Sequence, residues 1–131
     1  MTAPVIHQPD APSAAFFAGL GDGRILLQRC RACGMVLLGV RQCVSCGATE
    51  FDAVEASGAA AIVTFTRIHI AYHPHFRDHV PYDAGVVRLA EGPGIYCRID
   101  AGGAPLSIGD RGHVAIVDLG EGQCGLQFNR Q

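Results

Sequence analysis

The 131-residue sequence contains no apolar run approaching the ~20 residues that a bilayer-spanning helix needs, so a soluble chain is expected. It also contains no lysine: all ten basic residues are arginine, set against twelve acids for a net charge of −2. A balance this acidic, with no basic stripe, argues against a general nucleic-acid binder. The missing lysine itself reads as compositional bias in a chain rich in Ala, Gly and Arg. No dinucleotide GxGxxG follows a strand, and no P-loop, GxSxG or HExxH occurs, so conventional catalytic motifs are missing. Residues 1–18 have neither a basic start nor an apolar h-region, so no signal peptide is expected and the reducing cytoplasm is the expected compartment. No internal repeat is visible.

What the chain does have is cysteine in a pattern. Cys30-Arg-Ala-Cys33 and Cys43-Val-Ser-Cys46 are separated by nine residues, and each second cysteine is followed by glycine, Gly34 and Gly47. A Cys-x-x-Cys-Gly turn aims two sulfurs at one point and leaves backbone N–H groups to hydrogen-bond them, and glycine tolerates the positive φ required. Two such knuckles supply four thiolates, the ligand set of a closed structural Zn²⁺ site without a catalytic water. Iron in a rubredoxin-like site has the same donor chemistry. A redox Cys-x-x-Cys usually occurs once and opens a helix, which neither pair does. Cys97 and Cys124 fall in apolar strand-like patterns and read as core thiols.

The hydrophobic content of 49% is that of a folded chain. Three parts are expected: residues 1–24 as an N-terminal arm and short helix, 25–56 as a zinc ribbon, and 57–131 as an OB-fold domain. In the first, Ser13 caps a helix over residues 14–20 with Phe16, Phe17 and Leu20 on one side, stopped by Gly21 and Gly23. The ribbon is too small to own a core, so metal binding substitutes for apolar burial there. Its knuckle strands are expected at residues 24–28 and 35–40. Beyond Gly58 the pattern turns to β-branched alternation broken by glycine-rich turns. Strands are expected at residues 60–71, 81–89, 94–99 and 113–119, with a short closing piece at 125–128. Five strands, the first long enough to curl, suit a closed OB-type barrel, and the fold class is mainly β.

Between the first two barrel strands lie His69, His73, His75 and His79, four of the six histidines within eleven residues. His73-x-His75 could chelate a metal, but the loop is interrupted by proline and lacks the ligand spacing of known metalloenzymes. It reads better as a surface element that closes over a ligand or meets a partner, with Tyr72, Phe76, Tyr82 and Arg77 available for stacking or for lining an acyl channel.

The order of parts resembles the acyl-CoA-associated family that joins a rubredoxin-like zinc ribbon to an OB-fold. The resemblance rests on the Phe-rich helix, the paired knuckles, Ser57-Gly58 opening a strand that runs to Thr64-Phe65-Thr66, Pro81-Tyr82 opening the next, and Phe128 near the end. It covers residues 14–128. The prolines usual before the third cysteine are absent from Gly39-Val40-Arg41-Gln42. The resemblance implies a non-catalytic accessory subunit of a thiolase-like enzyme that forms or cleaves C–C bonds in acyl-CoA. The ribbon and helix would dock on a thiolase-fold catalytic subunit, in a two-plus-two heterotetramer. Structural Zn²⁺ is the implied cofactor and acyl-CoA the ligand of the complex. The partner would supply the reactive cysteine and histidine, so no catalytic residue is assigned to this chain.

For CoA, cations must meet phosphates and a flat surface must meet adenine. Arg67 and Arg77 are the candidate cations, Phe65 and Tyr82 the candidate stacking or channel residues. The plainer alternative is that the arginines pair with surface acids and the aromatics fill the barrel. Two other readings stand beside the accessory subunit: an OB-fold single-stranded nucleic-acid binder with a structural ribbon, and a small enzyme built on the histidine loop.

Overall fold

The computed structural model describes residues 11–71, 74, 77–78, 80–120 and 123–131. Tyr72, His73, His75, Phe76 and His79 therefore lie outside the described residues, as does the arm over residues 1–10. A helix α1 (Ala14–Gly21) precedes eight strands: β1 (Leu26–Cys30), β2 (Val36–Leu37), β3 (Phe51–Glu55), β4 (Ala59–Ile68), β5 (Tyr82–Leu89), β6 (Gly94–Asp100), β7 (Arg111–Gly120) and β8 (Gln123–Arg130). The first three strands make an antiparallel sheet in the order β2-β1-β3, and the last five close into a barrel in the order β4-β5-β6-β8-β7. Within the barrel only the β6–β8 pair is parallel; the other ladders are antiparallel. A first strand paired to both the second and the fourth is the OB arrangement.

Strand β4 closes the barrel because it is long and kinked. Its first three residues, Ala59, Ala60 and Ala61, pair with β7, and almost its whole length pairs with β5, with a bulge between Ile62 and Thr64. A bulge adds twist and lets one strand turn a corner between two partners. The approach at this corner is tight. A Cβ on Gly85 would lie 2.1 Å from the Thr64 carbonyl oxygen, so no larger residue fits opposite Phe65 without moving the backbone.

One apolar cluster joins the parts. Leu20 of α1, Ile25 and Leu27 of the ribbon, and Val87, Leu89, Ile99, Val114 and Phe128 of the barrel belong to a single buried core, with Phe128 and Val87 fully enclosed. Helix α1 packs on β1 and β8, bridging ribbon and barrel. Ser13 is the N-cap residue and contributes its backbone carbonyl, which accepts from the Phe17 amide at 3.2 Å. Phe16 and Phe17 meet edge to face at 5.2 Å and pack half-buried against the core, so eight residues of helix are held by tertiary burial rather than by propensity.

Several strand expectations are corrected. The first knuckle strand runs over Leu26–Cys30, two residues later than residues 24–28, and the second shrinks to Val36–Leu37. Strand β3 was not expected at all; Phe51–Glu55 pairs residue for residue with β1. The strand expected at residues 113–119 starts two residues sooner, at Arg111, because Arg111 and Gly112 already pair with β4. The closing piece is a full strand, Gln123–Arg130.

Candidate metal centre and ligand-facing surfaces

The two knuckles are near copies of one backbone design. In the first, the Gly34 amide donates to the Cys30 carbonyl at 2.9 Å and the Cys30 amide to Met35 O at 2.8 Å; in the second, Gly47 donates to Cys43 O at 2.9 Å and Cys43 to Ala48 O at 2.8 Å. Gly34 and Gly47 sit at φ 81° and 80°, the left-handed conformation that reverses each turn at low steric cost. Each turn brings its two cysteine side chains to the same side.

The result is a four-sulfur cluster. All four ligand atoms lie within 4.8 Å of one another, with Cys30 Sγ to Cys46 Sγ at 3.5 Å and Cys33 Sγ to Cys43 Sγ at 3.6 Å. Thiolates about 2.3 Å from a tetrahedral centre stand about 3.8 Å apart, close to these separations. A disulfide would need about 2.05 Å. Cys30 and Cys43 are buried, Cys33 and Cys46 exposed.

Electrostatics agree with this donor set. The Cys30 thiol is pulled down chiefly by the Cys33 amide, and that of Cys43 to about 6 chiefly by the Cys46 amide, against the opposing effect of burial. Cys33 and Cys46 also receive amide hydrogen bonds, from Met35 and Ala48. Thiol hydrogen bonding, to Cys43 and Cys30 respectively, together with burial outweighs these, and Cys46 is pushed up to about 12. Four sulfurs this close ionise together only around a cation, and soft thiolates select metals such as zinc or iron. The residues fit a tetrathiolate metal site.

The four residues singled out for CoA divide between surfaces. Phe65 and Arg67 alternate along β4 and share a face, with Phe65 at 36% exposure. Arg67 is paired with Asp83, its register partner on β5, with Nε to Oδ1 at 3.1 Å and Nη2 to Oδ2 at 3.4 Å. Tyr82 pairs with Ile68 and therefore faces the opposite side of the ladder. Arg77 is exposed in a turn, where its amide donates to Pro74 O at 3.2 Å.

Tyr82 has neighbours that sequence reading passed over. Arg98 of β6 lies over its ring, 5.6 Å from the centroid, and Tyr96 stands exposed two residues earlier on the same face. Burial first, and Tyr96 second, push the Tyr82 hydroxyl up, while Arg98 opposes them. A pocket beside this stack is lined by Pro81, Tyr82, Asp83, Arg98, Asp100 and Gln127. The period-two spacing of Tyr96 and Arg98 was the available signal; the β5–β6 register was needed to set them beside Tyr82.

Comparison with known proteins gives a consistent answer. The family described as ChsH2, C-terminal OB-fold domain, matches residues 53–117. A probable enoyl-CoA hydratase alpha subunit of Thermomonospora curvata is 32% identical over 81 residues, covering 61% of this chain and 25% of that one. A DUF35 domain-containing scaffold protein of Methanocaldococcus jannaschii is 33% identical over 73 residues, covering 54% of this chain and 51% of that one. The chain thus spans about a quarter and about half of the lengths of these two relatives. Among solved structures, the Ltp2-ChsH2(DUF35) aldolase aligns over 98% of both chains with a TM-score of 0.79 and 25% identity. A DUF35 protein of Sulfolobus solfataricus aligns over 94% of this chain and 87% of that one, with a TM-score of 0.65 and 17% identity, which speaks to the fold alone. With its four-cysteine ribbon and OB barrel, the chain belongs to the acyl-CoA-associated DUF35 family.

Proposed function

We propose that this protein is an accessory subunit that binds and stabilises a thiolase-like catalytic partner acting on acyl-CoA, and that it helps to hold the thioester without performing the chemistry. The observation that carries this reading is the alignment of the whole chain, ribbon and barrel together, with a structure named as an Ltp2-ChsH2(DUF35) aldolase. In this reading Cys30, Cys33, Cys43 and Cys46 hold one structural Zn²⁺, which cross-links the ribbon and contributes no open coordination position. Met35 and Val44, exposed at the two knuckles, give the ribbon apolar tips for docking. Catalysis belongs to the partner: Cys97 is buried and its thiol is pushed up to about 11 by that burial, so it remains protonated at neutral pH.

The test is reconstitution. Co-expression with a thiolase-fold protein, sought first among the adjacent reading frames, should give one complex in size-exclusion chromatography, with thioester turnover dependent on both proteins. Separate elution with unchanged partner activity would remove this reading. A single-stranded nucleic-acid binder is supported by one feature, the Tyr96, Arg98 and Tyr82 face. Fluorescence anisotropy with labelled oligonucleotides decides it, since a genuine interaction must weaken steeply with salt.

A further inference from the structure

We propose that Arg88 and Arg111 form an oxyanion clamp for a phosphate ester on the outer face of β5, β4 and β7. Strand β4 lies between the other two, and its Ala61 is the register partner of both Arg88 and Arg111. Register partners point to the same face, so the two guanidinium side chains rise on either side of a single methyl group. Their backbones stand about 10 Å apart, two strand spacings, and Arg88, which rests on the Gly92 carbonyl, would lean inward on meeting an anion.

The floor between them is small and continuous. Ala59, Ala60, Ala61 and Ala90 line a shallow depression flanked by the two arginines, so nothing larger than a methyl group obstructs approach to the strand. His113 continues the face, opposite Ala59.

Among the described residues the two charges lack a counter-ion. Ion pairs there engage Arg24, Arg31, Arg67 and Arg130, but neither Arg88 nor Arg111. Arg88 spends one donor on the Gly92 carbonyl at 3.0 Å, leaving most of its fork available. Glu91 has one carboxylate oxygen on the Ser57 amide at 3.1 Å, and it forms no ion pair with either arginine. Two cations bordering one uncharged floor create a local positive potential in an otherwise acidic chain. Arginine forks match the oxygens of phosphate in bidentate geometry, and two of them can share one dianion. The proposal rests on these residues and is independent of the partner assigned above.

Isothermal titration of the purified full-length chain tests it, with inorganic phosphate and adenosine 3′,5′-bisphosphate as separate probes. Saturable binding is expected, weakened about ten-fold or more in R88Q/R111Q and unchanged in R24Q. A61L keeps every charge but fills the floor, and it should weaken binding comparably. Saturation by phosphate alone identifies a free-oxyanion site, and saturation only by the bisphosphate identifies a nucleotide end; either upholds the clamp. Absence of saturable binding by both probes, or an equal loss in R24Q, overturns it. Thermal midpoints without ligand separate a lost site from a lost fold.

Discussion

Gln28 grips the backbone of Val40 at both polar groups: its Nε2 donates to the Val40 carbonyl at 3.1 Å and its Oε1 accepts the Val40 amide at 2.9 Å. The side chain thereby continues the β1–β2 pairing beyond Leu37 and ties down the segment that leads into Cys43. Gln28→Ala leaves both backbone groups to find other partners. A loss of about 1–2 kcal/mol in unfolding free energy is expected, with faster amide exchange at Val40. Gln28→Glu retains one acceptor and should lose less.

Metal content is the second expectation. Elemental analysis should return one zinc or iron per chain, and Cys43→Ser should remove it and release the ribbon strands, seen as lost far-UV circular dichroism. Protons compete with metal for thiolates, so retention should weaken as pH falls. Full metal content in the Cys43→Ser variant would place the ion elsewhere.

Arg130 sets the connection between β6 and β7. Its guanidinium donates to the carbonyls of Ala101, Ala104 and Pro105 and pairs with Asp110, with Nη1 to Oδ2 at 3.2 Å. With only 13% of the side chain exposed, truncation orphans several acceptors at once. Arg130→Ala should cost about 3 kcal/mol and open residues 101–110 to proteolysis. Arg130→Lys should rescue little, because one ammonium cannot span the four partners.

Cys97 makes stability depend on alkaline pH. Burial raises its folded-state value to about 11 from an ordinary 9.0. The unfolded chain therefore releases this proton first as pH rises, and the stabilisation present below pH 9 is lost between pH 9 and 11. The linkage amounts to about 3 kcal/mol at most. Cys97→Ala should flatten that part of the stability profile, measured by urea unfolding at several pH values.

The sequence was most legible where chemistry is local. Cys-x-x-Cys-Gly sets its own turn within five residues, so the four-sulfur cluster could be read without a fold. The barrel strands were legible from alternation, with edges drifting by a few residues. Strand β3 was not legible: Phe-Asp-Ala-Val-Glu has too short an alternation to stand out, and its stabilising partners are remote. Arg31 reaches both Glu50 and Asp52, and Arg24 reaches Glu55, so complementary charge on the two segments was the one signal on offer. Arg67 shows the same limit from the other side. As a candidate cation it stood beside the plainer reading of a surface ion pair, and only the β4–β5 register could show that Asp83 lies directly opposite.

By itself the sequence determined a four-thiol knuckle pair, a short apolar helix and a run of barrel strands, because each follows from spacing within one segment. Tertiary structure alone decided that helix, ribbon and barrel share one core, that Tyr82 meets Arg98, and that Arg88 and Arg111 flank Ala61. Those relations depend on register between strands distant in the chain. A slip of one residue would turn every such side chain to the opposite face, and only the summed burial of Phe128, Val87, Leu89 and their neighbours selects the register observed.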